Sequence, residues 1–243
     1  MSRPGVFDGE TPDGGMQGVV VGIVTDNEDP KDLGRVKLRF PWRDADDESY
    51  WARLAVPMAG TEYGTYFLPE VDDEVLVAFE NGDIHNPYVV GALWNGTQRP
   101  PQKNDGANDT REIKSRSGHR LAFDDADDGT VTIETSAGHE IHIDDGKDTI
   151  TLRDKSGSNE ICLDGASDSI SVEAAGDLDL SAKNITLEAD KSVTIDAGTS
   201  VDVSSRNAVD LSAKGQLSVG SNGVMKLNAT GPLSVKGAII RLN

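Results

Sequence analysis

Residues 185–232 read ITLEADKS, VTIDAGTS, VDVSSRNA, VDLSAKGQ, LSVGSNGV and MKLNATGP, six blocks of eight that each begin apolar–x–apolar. Side chains alternate along a β-strand, so the first and third residues of each block share one face. The pairs are Ile185/Leu187, Val193/Ile195, Val201/Val203, Val209/Leu211, Leu217/Val219, Met225/Leu227 and, one block further, Leu233/Val235. The fifth position continues that face and holds only small residues: Ala189, Ala197, Ser205, Ala213, Ser221, Ala229 and Gly237. Polar and turn residues fill the remainder, so each octad encodes one short strand and one tight corner. The fourteen apolar residues of these pairs are the expected core of a β-helix.

A strand plus a corner is one side of a prism, and two architectures satisfy it. One chain can coil alone, three octads per turn, as a β-solenoid. Alternatively, three identical chains wrap one axis, each supplying one side at every level, which suits a side with two apolar residues and one small one. Upstream, the same apolar–x–apolar pairs recur at a spacing near ten: Leu121/Phe123, Val131/Ile133, Ile141/Ile143, Ile150/Leu152, Ile161/Leu163 and Ile170/Val172. With a transition at Leu178/Leu180 and a final pair Ile240/Leu242, fifteen strand-like units are expected. Stacked at about 4.8 Å, they give a rod of roughly 70 Å.

The first third follows another pattern. Residues 19–24, 35–40, 51–56, 74–79 and 88–94 are five β-type runs separated by turn-rich segments such as Asn27-Glu28-Asp29-Pro30 and Asn81-Gly82-Asp83. Five strands in so short a span suit a closed Greek-key barrel of the OB type.

Composition narrows the function. The formal net charge is −19, which opposes binding to nucleic acid. The excess acid lies before residue 177, and past Asp210 the only charged side chains are Lys214, Lys226, Lys236 and Arg241. Such acidity suits a high-salt cytoplasm or simple solubility. A single cysteine, Cys162, precludes an intrachain disulfide framework. The N-terminus has no apolar signal-peptide region and no long apolar run follows it. The expectation is a protein made in the cytoplasm.

Several segments carry a family resemblance. GVVVGIVTDNEDPKDLGRVKLRFPW (18–42), YWARLAVPMAG (50–60), YFLPEVDDEVLVAFENGD (66–83) and NPYVVGALWNG (86–96) resemble the OB domain of VgrG and phage-baseplate spike (protein V) proteins. SRSGHRLAFDD (115–125) is similar to the segment that leads from that domain into the spike. The resemblance implies an all-β homotrimer: an N-terminal five-stranded OB barrel followed by an intertwined triple-stranded β-helix with octad repeats. The expected divisions are 1–16, a flexible segment contacting a hub; 17–96, the OB domain; 97–114, a linker; and 115–243, the spike. Its implied role is a structural puncturing spike of a contractile injection machine, assembled into the baseplate of an injection particle or virion. The implied partners are a separate baseplate hub, a PAAR-type tip protein that can carry effectors, and a target envelope.

Candidate sites are few. The octad phase changes at Gly237, leaving Ile239, Ile240, Arg241, Leu242 and Asn243 to receive a tip protein or to plug the core themselves. Asp-rich turns at 124–129, 144–148 and 164–168 match neither an EF-hand nor the nonapeptide calcium repeat, so they read as solvated corners. In a period-2 strand His142 points outward and His139 inward if the strand reaches it, and neither reads as a metal ligand. The Cys162 thiol points outward between inward Ile161 and Leu163, with no activating neighbour in sequence. No catalytic residue, metal or cofactor is expected.

Overall fold

The computed structural model describes residues 16, 18–44 and 47–241. It divides the chain into two units, one ending at Asp179 and the other beginning at Leu180. Among the described residues there is no α-helix.

The first unit opens with strands β1 (Val19–Asp26), β2 (Lys37–Arg39), β3 (Arg53–Leu54), β4 (Ala59–Gly60), β5 (Tyr63–Gly64), β6 (Glu74–Phe79) and β7 (Pro87–Ala92). Five of them form a sheet in the order β2-β1-β6-β7-β3, with β3 parallel to β7 and the other pairs antiparallel. A bridge between Val36 and Ala52 joins the two ends through backbone hydrogen bonds of 3.0 and 2.7 Å. That pairing order, with its one parallel contact, is the OB arrangement expected from the five apolar runs.

Alternation builds the interior. In β6, Val75, Val77 and Phe79 are buried while Glu74, Leu76 and Ala78 are only partly covered. They meet Val24, Val36, Leu38, Phe40, Ala52 and Val89 in one core. Gly22 is required by this packing: a Cβ there would lie 3.2 Å from Val77 Cγ2 and 3.4 Å from Phe40 Cε1. The loop between β1 and β2 is organised by Asp29. Its carboxylate accepts hydrogen bonds from Arg35 Nε and Nη2, at 2.7 and 2.6 Å, and from the backbone N–H groups of Lys31 and Leu33.

The Arg35 guanidinium above all holds the Asp29 carboxyl far below the usual carboxylate range. Its folded pKa being depressed, its contribution is complete above about pH 4 and disappears as pH falls through the lower folded value. Asp29→Asn therefore gives a less stable OB unit at pH 7 and a flatter loss of stability below about pH 4. Tryptophan fluorescence follows this, since Trp51 lies 5.7 Å from the Arg35 guanidinium carbon. Wild-type and variant curves of equal slope would contradict the assignment.

Seven more strands complete the unit: β8 (Thr110–Lys114), β9 (Arg120–Asp124), β10 (Thr130–Glu134), β11 (Glu140–Asp144), β12 (Thr149–Arg153), β13 (Glu160–Asp164) and β14 (Ser169–Glu173). They form one antiparallel meander in sequence order. This corrects the expectation of a continuous β-helix from residue 115. A ten-residue spacing holds a five-residue strand and a five-residue reversal, enough for the chain to fold back and pair with itself. An octad leaves only a corner. The meander also begins at Thr110, inside the stretch read as a linker.

Its two edges use different turns. On one, His119 Nδ1 accepts the Ser136 N–H at 3.1 Å, His139 Nδ1 accepts that of Lys155 at 3.3 Å, and Asn159 Oδ1 accepts that of Ala175 at 3.0 Å. Each acceptor, twenty residues after the last, ties its turn to the next one. On the other edge, backbone bonds link Asp125 N to Asp109 O, Asp145 N to Gly129 O and Gly165 N to Asp148 O. Gly165 permits this stacking, because a Cβ there would collide with the Asp148 carboxylate. At the OB side, Arg116 pairs with Glu70 at 3.0 Å.

The second unit is different in kind. From Leu180 to Arg241 it contains no strand among the described residues, and every described residue is exposed. A single-chain solenoid stacks each coil on the previous one with backbone hydrogen bonds inside the chain. No such stacking is present among the described residues of this segment.

Candidate functional site

The feature that sets the molecule apart is the apolar face of the meander. Because the strands pair in register, apolar residues line up across them in two rows. One row runs Ile113, Leu121, Ile133, Ile141, Leu152, Ile161, Val172; the other runs Phe123, Val131, Ile143, Ile150, Leu163, Ile170. Most are well exposed, from 38% for Ile141 to 72% for Ile170. Covering a half-exposed Ile or Leu gains roughly 1 kcal/mol, so the thirteen side chains offer on the order of 10 kcal/mol per chain. A contiguous apolar surface of this kind is a candidate interaction surface.

The opposite face is polar and largely paired, with Glu112 Oε1 the one buried side-chain oxygen there without a hydrogen-bond partner among the described residues. Arg120 pairs with Glu134 at 2.7 Å and Arg153 with Glu140 at 3.0 Å, across neighbouring strands. His142 lies on this side, its Nδ1 3.0 Å from Thr132 Oγ1, and half-buried Cys162 is 4.0 Å from Thr151 Oγ1. The strand begins at Glu140 and does not reach His139, so the condition for its pointing inward is not met. His139 sits in a turn, where it binds the Lys155 backbone. The acidic corners are likewise occupied by local bonds: Asp144 accepts from the Lys147 N–H and from its Nζ at 2.6 Å, and Asp164 from the Ser167 N–H. Lys147 is the main reason the Asp144 carboxyl is held below its ordinary range. In the turn between β12 and β13 the Ser156 hydroxyl, assisted by the Ser158 and Asn159 amides, lowers Asp154 to about 2.

In the second unit the octad pairs, expected as the core of a three-chain β-helix, are still more open in the single chain. The first residues of the pairs, Ile185, Val193, Val201, Val209, Leu217, Met225 and Leu233, are all exposed, Met225 least at 48%. The third residues, Leu187, Ile195, Val203, Leu211, Val219, Leu227 and Val235, are exposed as well, from 61% for Val235 to 75% for Leu211. None of the fourteen is buried within one chain. No other part of the described chain lies over these apolar pairs. At the C-terminal end Ile239, Ile240 and Arg241 are exposed. Leu242 and Asn243 lie outside the described residues, as does all of the expected hub-contacting segment except Met16.

One surface was not anticipated from the sequence. Between β3 and β6 the β4–β5 hairpin and the chain after it expose Met58, Tyr63, Tyr66 and Phe67. Three aromatic residues within five positions, in a chain with 5% aromatics, were the available signal.

Comparison with known proteins fits this architecture. Residues 20–94 match the type VI secretion system/phage-baseplate injector OB domain. The chain is 37% identical over 93 residues to the type VI secretion system spike protein VgrG3 of Vibrio cholerae, a stretch covering 37% of this chain and 9% of that relative. It is 30% identical over 132 residues to the spike protein VgrG2a of Pseudomonas aeruginosa, covering 51% of this chain and 16% of the relative. A 93-residue match at 36% identity also joins it to the actin cross-linking toxin VgrG1 of Vibrio cholerae, covering 37% of this chain and 8% of the relative. The matched stretches thus span less than a fifth of these relatives. Residues 20–94 thus form a domain of the injector OB type, and over that region and the strands after it the chain is similar to VgrG spike proteins.

Proposed function

We propose that this chain is a structural spike subunit of a contractile injection machine and works as a homotrimer. The observation that carries this reading is the uncovered apolar surface: two rows on a folded sheet, followed by seven octads that pair with nothing in their own chain. Three copies satisfy both at once. The meander faces close on one another, and the octads find backbone partners in neighbouring chains, as a triple-stranded β-helix requires. There the fourteen apolar residues of the octads would form the core that one chain cannot. Intertwined strands cannot separate without breaking contacts in all three chains, which suits an object that bears axial force. The OB units then form a collar on a separate hub, and a PAAR-type tip protein docks on Ile239, Ile240 and Arg241, with Leu242 and Asn243 beyond them, a reading that the family resemblance supports. Lys226, Lys236 and Arg241 favour an anionic tip partner or envelope surface. Assembly would take place in the cytoplasm, on the baseplate of an injection particle or virion.

Light scattering after size exclusion tests the central claim. The expected mass is about three times the 25.8 kDa of one chain. A monomer at micromolar concentration overturns the reading.

A further inference from the structure

Every octad carries the same instruction, and this creates a difficulty for assembly. If one chain slips by eight residues against its partners, each apolar pair meets an equivalent pair and each small fifth-position residue meets another corner. Only the terminal block loses its contacts. A stack of nearest-neighbour repeats has little free energy with which to reject such a slip. The C-terminal unit therefore holds no strong record of its own register.

The meander does hold one. It pairs within its own chain, residue for residue, through all six hairpins, from Thr110↔Asp124 to Glu160↔Glu173. Apart from the outer edges of β8 and β14, its backbone is paired before any partner arrives. Its apolar face has distinguishable ends: Phe123 stands at the OB end beside Arg111, which pairs with Asp125 at 2.6 Å, and the far end finishes with Ile170 and Val172. At that first end Arg116 meets Glu70, in the loop before β6, in an exposed ion pair. Sliding one sheet along another exposes whole strands of apolar surface and moves Phe123 off its level.

From this contrast we infer that the sheet from Thr110 to Glu173 is the register-setting element of the assembly, its partner being two further copies of the same face. Each chain folds the sheet alone, three sheets dock through the paired rows, and residues 180–241 then gain order toward the C-terminus. This inference rests on the trimeric reading and assigns the sheet a task separate from that of the octads.

Pulse-labelling hydrogen exchange during refolding of the full chain, at two protein concentrations, tests the order. Amides of 120–173 are expected to become protected first, and those of 180–241 only at the rate of trimer formation, faster at the higher concentration. Protection of 180–241 together with or before 120–173 overturns the inference while leaving the trimer intact. A chain that ends as a monomer defeats the trimeric reading itself.

A second measurement reads register directly. Full chain is refolded together with a variant lacking one whole octad, residues 209–216, and the products are weighed by native mass spectrometry. If register is set upstream, the chains mix freely and mixed trimers outnumber unmixed ones about threefold. Segregation into unmixed trimers shows that the repeats or the tip set the register, and overturns the proposal.

Discussion

Replacing Ile141 and Ile143 by aspartate is expected to turn the trimer into monomers. These residues occupy one strand and belong to the two apolar rows, facing Ile133 and Leu152 in one and Val131 and Ile150 in the other. In the assembly each substitution appears three times around one axis, placing six carboxylates where no donor waits. Burying an unpaired carboxylate costs several kcal/mol, so the six exceed what the remaining rows can offset. The mass should drop to that of one chain. The OB core lies elsewhere and should keep its tryptophan fluorescence. Ser169→Asp with Ser171→Asp is the control, since both residues are exposed on the polar face of the last strand and should leave the mass unchanged. If both pairs behave alike, the apolar face is not the interface.

Deletions within the octads should separate sharply by length. Removing residues 209–216 takes out one complete strand and corner, so the downstream blocks keep their phase and lose about one strand spacing, some 4.8 Å. Removing only 209–212 joins a corner to a corner and leaves one side without its strand. Residues 217–241 then lose their hydrogen-bond partners. In the first variant these residues should exchange their amide hydrogens as slowly as in the parent. In the second they should exchange at rates near those of an unfolded chain, a loss of several orders of magnitude. Equal exchange in the two variants would show that the period of eight has no structural meaning.

How much of this was legible depends on where each element finds its partners. The five OB strands were readable because each alternates and is bounded by turn residues, as in Glu74–Phe79 with Asn81-Gly82 after it. The β4–β5 hairpin was not, because two-residue strands carry no period and are held only by Ala59↔Gly64 and Gly60↔Tyr63. The apolar pairs from Leu121/Phe123 to Ile170/Val172 fall inside the strands as read. Their antiparallel connection was missed because periodicity reports which way side chains face and says nothing of which chain supplies the neighbouring strand. The same limit explains the octads: Ile195, Val219, Leu227 and Val235 carry the pattern of core residues, yet what would cover them is not part of their own chain. Two marks of the reversals did stand in the sequence: Ser-Gly-His at 117–119 and Ala-Gly-His at 137–139, with Gly118 and Gly138 both at φ +92°. The Asp29–Arg35 pair lay in plain view within a segment read only as a turn before a β-type run and for its resemblance, since its role depends on a loop conformation that a linear pattern does not encode.

The openness of residues 180–241 bears also on abundance. A copy that has not joined two others carries some sixty residues with nothing folded over them, and backbone in that state is what proteases cleave first. In the proposed trimer the same segment would be hidden, so surplus subunits would stay open to cleavage at their own unpaired end while the completed threefold object would not.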